Sequence, residues 1–158
     1  MADARFEDGE EGPLRLMAQE ADDLPVISAL VQDAVLPVTE MRWDVRRRRF
    51  AALVNRFRWE DGAEAERQGR PFERVRSLLT VSGVTAVRSQ GIDRKDPDLI
   101  LSVLALDWAA GADGAGRLTL VLAGDGAIAL EVEALDLVLE DVSKPYLAPS
   151  RHRPDHGV

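Results

Sequence analysis

The sequence predicts an α+β domain built mainly from antiparallel strands. Three observations carry that prediction. Apolar residues recur at helical spacing only near the start of the chain. Long stretches after it alternate with a period of two or are rich in β-branched residues, and they are broken by glycine-containing turns. The expected architecture has about six to seven strands forming a roll or small barrel. One helix lies early, a C-terminal helix is an option, and a pleckstrin-homology-like barrel is the analogy that fits a strand followed by a last helix.

Taken in order, Leu14–Ala18 reads as a first strand. Asp22 or Asp23 can cap a helix with Pro25 in its first turn, and Val26, Ile27, Leu30, Val31 and Ala34 form its apolar face up to Pro37. Met41, Trp43 and Val45 alternate with Arg42, Asp44 and Arg46. Phe50–Val54 and Asn55–Trp59 follow as a second strand, joined to the first near Arg46–Arg48, with Leu53, Phe57 and Trp59 on one face. Glu60–Pro71 reads as a charged loop, and Phe72–Arg88 as β-structure bent at Gly83. Leu99–Trp108 and Arg117–Ala123 are further strands, and Gly124-Asp-Gly126 turns the second of these into Ala127–Val132. Residues 132–142 fit either period, and we assign them to a short helix. The acidic stretch 1–12 and the tail 148–158 are expected to be flexible, leaving one domain over 13–147.

Composition narrows the chemistry. The chain has 158 residues and no cysteine, which excludes disulfides, thiol nucleophiles and cysteine-ligated metals. Its two histidines, His152 and His156, lie in the tail, so no histidine triad or multi-histidine metal site is expected in the core. No signal peptide or membrane-length apolar run is present in this sequence, and the expected location is the cytoplasm. The Gly111–Gly116 stretch lacks a P-loop ending and precedes a strand, so it reads as a turn. The carboxylates between Glu131 and Asp141 interleave with apolar residues, as on a solvated face. No cofactor and no metal site is indicated.

The distinctive feature is basic. Arginine is used almost to the exclusion of lysine, and eleven arginines against six carboxylates fall between Arg42 and Arg76 in a chain of net charge −8. Arg42, Trp43, Arg46, Arg47, Arg48, Arg49, Arg56, Arg58 and Trp59 are therefore a candidate anion or partner surface. The plainer account is a charged hairpin turn, with Arg56 and Arg58 on the solvent face of a strand. Gln32, Asp33 and Asn55 are polar residues beside core positions and make a candidate polar pocket.

Leu30–Ala34, Arg49–Glu60, Ser89–Arg94 and Gly126–Glu133 together resemble an uncharacterised alphaproteobacterial family, the domain of unknown function numbered twenty-nine forty-eight. The resemblance runs from about Leu14 to Tyr146. It implies no chemistry, so no functional residue is carried over. The family usually has a cysteine near the position of Ala134, and its absence here argues against a thiol role.

Three functions are then in play. The leading one is a non-enzymatic binding or accessory domain acting through a protein partner or its own oligomer. The alternative is an enzyme or sensor that uses carboxylates and arginines on an anionic metabolite, which requires Arg46–Arg58 and Glu131–Asp141 to face one cleft. RNA or nucleotide binding through the hairpin is third, and the net charge of −8 weighs against it.

Overall fold

The computed structural model describes residues 12–69 and 71–147. The expectations for the two terminal segments lie outside the described residues. Eleven strands form one sheet: β1 (Arg15–Ala18), β2 (Val35–Pro37), β3 (Met41–Asp44), β4 (Arg49–Phe57), β5 (Glu73–Ser82), β6 (Val84–Gln90), β7 (Ile100–Ala110), β8 (Gly116–Leu122), β9 (Gly126–Val132), β10 (Leu137–Asp141) and β11 (Tyr146–Leu147). Two short helices accompany them, α1 (Leu24–Leu30) and α2 (Gly62–Arg67). The strand order is β1-β10-β5-β4-β2-β7-β8-β9-β6, with β3 added beside β4 and β11 beside β5, and every pairing is antiparallel. The α+β class holds. The sheet is curled but not closed, so the barrel option falls, and there are more strands than the sequence suggested.

The core follows from alternation. Phe50, Ala52 and Val54 on β4 face the same interior as Val75, Leu79 and Val81 on β5 and Leu137 and Leu139 on β10. Leu118, Leu120 and Leu122 on β8, with Ile128, Leu130 and Val132 on β9, close it from the other side. The register shift on β7 between Val103 and Ala105 inserts a bulge, so that Val103 and Leu106 both reach the core while Leu104 turns outward. Gly83 sits at φ 73°, a left-handed angle that favours glycine, and it makes the corner where β5 becomes β6. Buried Leu24 and Ile27 anchor α1, and Ser28 Oγ accepts the backbone N–H of Leu106 at 2.9 Å, pinning the helix to β7.

Several expectations are corrected. The first helix ends at Leu30 rather than at Pro37, because the chain breaks at Asp33 (φ 66°) and Val35–Pro37 becomes the bridging strand β2. Glu60–Pro71 contains α2 instead of being wholly loop. Residues 132–142 hold strand β10 and no helix, because Leu137 and Leu139 pair with Val81 and Leu79 of β5 on one side while β1 pairs on the other. The pleckstrin-homology analogy loses its last helix with that. On β4 the interior phase is Phe50-Ala52-Val54-Arg56, opposite to the Leu53-Phe57-Trp59 face expected.

Candidate binding surface

Arg56 shows what that phase means. As the next residue on the inward face of β4, its side chain is fully buried. A buried guanidinium needs partners for its donors, and here they are met. The two terminal nitrogens fork onto Glu60 at 2.9 Å each, Nη1 also donates to the Phe57 carbonyl, and Nη2 reaches Asp141 Oδ1 at 3.0 Å. Nε donates to Ser77 Oγ at 3.0 Å, and the Ser77 hydroxyl donates in turn to Asp141 Oδ1 at 2.7 Å. Asp141 Oδ2 accepts the backbone N–H of Leu14, which ties the entry to β1 to the same knot. Burial opposes the charge on both partners. The contacts outweigh it, raising the pKa of Arg56 and lowering that of Glu60. Arg56 is thus a structural ion-pair residue and leaves the candidate surface.

The other arginines divide into paired and unpaired. Arg47 lies 3.6 Å from Asp44, Arg48 pairs with Glu133, and Arg58 is held by Glu73 and by Asp61 at 3.6 Å. Arg117 meets Glu131 at 2.6 Å. The arginine hairpin and the late carboxylates therefore do meet, but as closed ion pairs. Trp43 packs half-buried against the core, and Trp59 Nε1 donates to the Gln32 carbonyl at 2.9 Å. Arg42, Arg46 and Arg49 are exposed, and Arg76, which the candidate surface did not include, is too. None of these four has a carboxylate within 4.0 Å among the described residues.

The polar trio is only partly assembled. Asn55 and Val35 are cross-strand partners, and Asp33 is buried two residues before Val35. Gln32 is exposed and contributes its backbone carbonyl. The company Asn55 keeps was not foreseen. Its Oδ1 accepts the Tyr146 hydroxyl, its carbonyl accepts Arg74 Nη1 at 3.2 Å, and the Arg74 guanidinium lies 4.0 Å from the centre of the Phe57 ring. Burial lowers the pKa of Arg74, which has no carboxylate within 4.0 Å among the described residues.

Three of these four, Arg42, Arg49 and Arg76, gather on one face. Side chains directly opposite on antiparallel strands share a face, and the outward row of β4 is Arg49, Ala51, Leu53 and Asn55. Arg42 of β3 pairs with Ala51, Leu78 of β5 with Leu53, and Arg76 with Asn55. Between them runs a shallow groove of about 460 Å³, lined by Thr39, Glu40, Met41, Arg42, Ala51, Leu53 and Leu78. Its floor is apolar, Arg42 and the acid Glu40 lie at its edge, and the register places Arg49 and Arg76 at the next positions along the same face from Ala51 and Leu78. The apolar residues of this floor lie outside the candidate surface, because the sequence groups Leu53 with Phe57 and Trp59 on one apolar face. The alternation of Arg76 and Leu78 with buried Val75, Ser77 and Leu79 was the signal that could have found it.

The fold and this surface define an α+β antiparallel-sheet domain with an arginine-bordered outer groove. By sequence the chain belongs to the family described as protein of unknown function DUF2948, whose model matches residues 14–156. No curated protein matches, and neither does any solved structure. No described helix is long and apolar enough to cross a membrane.

Proposed function

We propose that this protein is a non-enzymatic binding domain, and that it engages a protein partner through the outer face of β3, β4 and β5. The observation that carries the reading is the groove over Ala51, Leu53 and Leu78, edged by Arg42 and flanked on the same face by Arg49 and Arg76, none of which has a carboxylate within 4.0 Å among the described residues. An apolar floor supplies contact area, and charged forks on its rim select what docks. The partner segment is accordingly acidic with apolar anchors. The reading takes the protein to act in the cytoplasm.

Leu53→Glu tests this. Leu53 is half-buried on the outer face, so the variant should stay folded, with its melting transition close to that of wild type. A partner captured by the wild-type protein should be lost from this variant and from Arg42→Glu. Equal capture by all three proteins would sink the proposal.

Arg74 supports a second reading, a sensor for an anionic metabolite. It is a partly buried cation stacked on Phe57, attracted by Asp33 but with no carboxylate paired to it within 4.0 Å among the described residues. A screen of phosphorylated and carboxylated metabolites should then raise the melting temperature of wild type but not of Arg74→Ala. No shift with any of them removes this reading.

A further inference from the structure

The strand order ends on β1 at one side and on β6 at the other, and β6 is the longer, at seven residues against four. Among the described residues β6 pairs with β9 alone. Hydrogen bonds at its start fix which way the backbone groups point. The Gly83 carbonyl accepts the Glu133 N–H at 3.0 Å, while the Val84 N–H turns the other way, to the Arg48 carbonyl at 2.8 Å. Antiparallel strands alternate bonded and open pairs. Counted along β9 from Glu133, the residues Glu131, Ala129 and Ala127 turn their groups towards β6, and Leu130 and Ile128 do not. Val87 and Ser89, opposite Leu130 and Ile128, therefore direct N–H and C=O away from the sheet. Neither has another hydrogen-bond partner among the described residues.

The side chains say what this edge accepts. Leu130 and Ile128 are buried, yet Ser89 on the same face is exposed and Val87 only half-buried, so no described element covers the edge. Arg88 points to the other face, exposed and opposite Ala129, with no carboxylate within 4.0 Å among the described residues. Glu131, on that face opposite Ala86, is already paired with Arg117 at 2.6 Å. We propose that β6 is an acceptor edge for an extended, acidic segment of another protein, which joins the sheet as an antiparallel strand. The segment exchanges backbone hydrogen bonds with Val87 and with Ser89. Its residue between those two stands opposite Arg88 in an open pair, where Cα atoms come within about 4.5 Å, and a carboxylate there meets the guanidinium. A second copy joined by the same bonds would set Arg88 against Arg88, and like charges directly opposite are destabilising. The arginine thus discriminates against self-pairing and in favour of an acid. This edge is separate from the β3–β4–β5 groove, and neither proposal depends on the other.

The probe is a pentapeptide with blocked ends, threonine-threonine-glutamate-valine-threonine, titrated to millimolar concentration in low salt and followed by amide signals of the isotope-enriched full chain. In the free protein the amides of Val87 and Ser89 should exchange with solvent quickly and those of Arg88 and Gln90 slowly, because only the latter pair bond to β9. The peptide should slow exchange at Val87 and Ser89 and leave Arg88 as it was. No binding overturns the proposal. So do shifts confined to Ala51, Leu53 and Leu78, which would put the peptide in the groove. Protection of Val87 and Ser89 that grows with protein concentration, without peptide, also overturns it, since a second copy would then hold the edge.

Charge exchange tests the selectivity. Wild type should bind the glutamate peptide about threefold to tenfold more tightly than the same peptide with lysine in that place. Arg88→Glu should reverse the order, and because Arg88 is exposed this variant should melt as wild type does. Equal binding of the two peptides by wild type overturns the proposal. Ser89→Pro removes one free donor and no bond to β9, a place where a strand tolerates proline. Binding of the glutamate peptide should be lost with it, and unchanged affinity in a folded Ser89→Pro protein overturns the edge. Arg42→Glu should bind the peptide as wild type does, and a loss there would locate the peptide in the groove and overturn the edge as well.

Discussion

At the residue scale the deciding side chain is Arg56. Two carboxylates and one guanidinium are buried together, so removing the cation leaves Glu60 and Asp141 facing each other without compensation. Arg56→Met should therefore cost about 3–5 kcal/mol in urea unfolding. Adding Glu60→Gln and Asp141→Asn to that variant should recover part of the loss, because the stranded charges are gone. A second prediction concerns acid. The pKa of Glu60 is lowered from 4.5 in the folded state, so its contribution is complete above about pH 4.5 and is lost as pH falls through the lower folded value. The urea midpoint of wild type should drop between pH 4.5 and pH 3 more steeply than that of Glu60→Gln; parallel curves would show that Glu60 carries no such linkage. Arg56 was hard to see in sequence because an arginine in a strand is usually solvated, and its partner Asp141 is 85 residues away. The buried run Phe50-Ala52-Val54 did point at it. Leu53, Phe57 and Trp59 offer a rival phase with larger side chains, and that phase hides it.

At the element scale, what sequence could read was whatever depends on local chemistry. The turn at Gly124-Asp125 has both residues at positive φ, 78° and 65°, which is the backbone that glycine and aspartate tolerate. The bend at Gly83 and the β3–β4 hairpin were legible for similar reasons. Residues 132–142 were not, because Leu135, Leu137 and Leu139 satisfy a strand while Val132, Leu135 and Leu139 satisfy a helix. Pairing with β5 and β1 on either side settles the matter, and that is long-range information. The β7–β8 hairpin holds the prediction for this scale. A methyl group on Gly116 would lie 2.5 Å from the Trp108 ring and 2.6 Å from the Ala109 carbonyl, and the backbone there cannot move without disturbing the Ala110 pairing. Gly116→Ala should lower stability by about 1–3 kcal/mol, read as a fall in melting temperature. Gly114→Ala at the turn itself meets no atom within 4 Å and serves as the contrast, with only the strain of its φ of 85° to bear.

At the scale of the whole molecule, the outer groove and the core are two sides of the same alternation. Arg42, Arg49 and Arg76 face outward because their strand neighbours face inward, so the surface could not be moved without repacking the interior. One buried cluster takes in Ala18 of β1, Ile27 of α1, Val54 of β4, Leu79 of β5, Leu120 of β8 and Leu139 of β10. No part of the sheet keeps a core of its own within that cluster. Loss of any strand should therefore expose the others, and unfolding should be a single cooperative transition. The three tryptophans report from separate places: Trp43 from β3, Trp59 from the turn before α2, and Trp108 from β7. In urea, the fluorescence of proteins that each retain one of them (the others changed to Phe) should follow the same curve as far-ultraviolet circular dichroism, once each variant's stability is allowed for. A Trp108 signal that persists after the circular dichroism of the rest has begun to fall would mean that the β7–β8–β9 side holds together alone. The open sheet would then be two cooperative units joined at β2, and binding at the β3–β4–β5 face could not be felt across it.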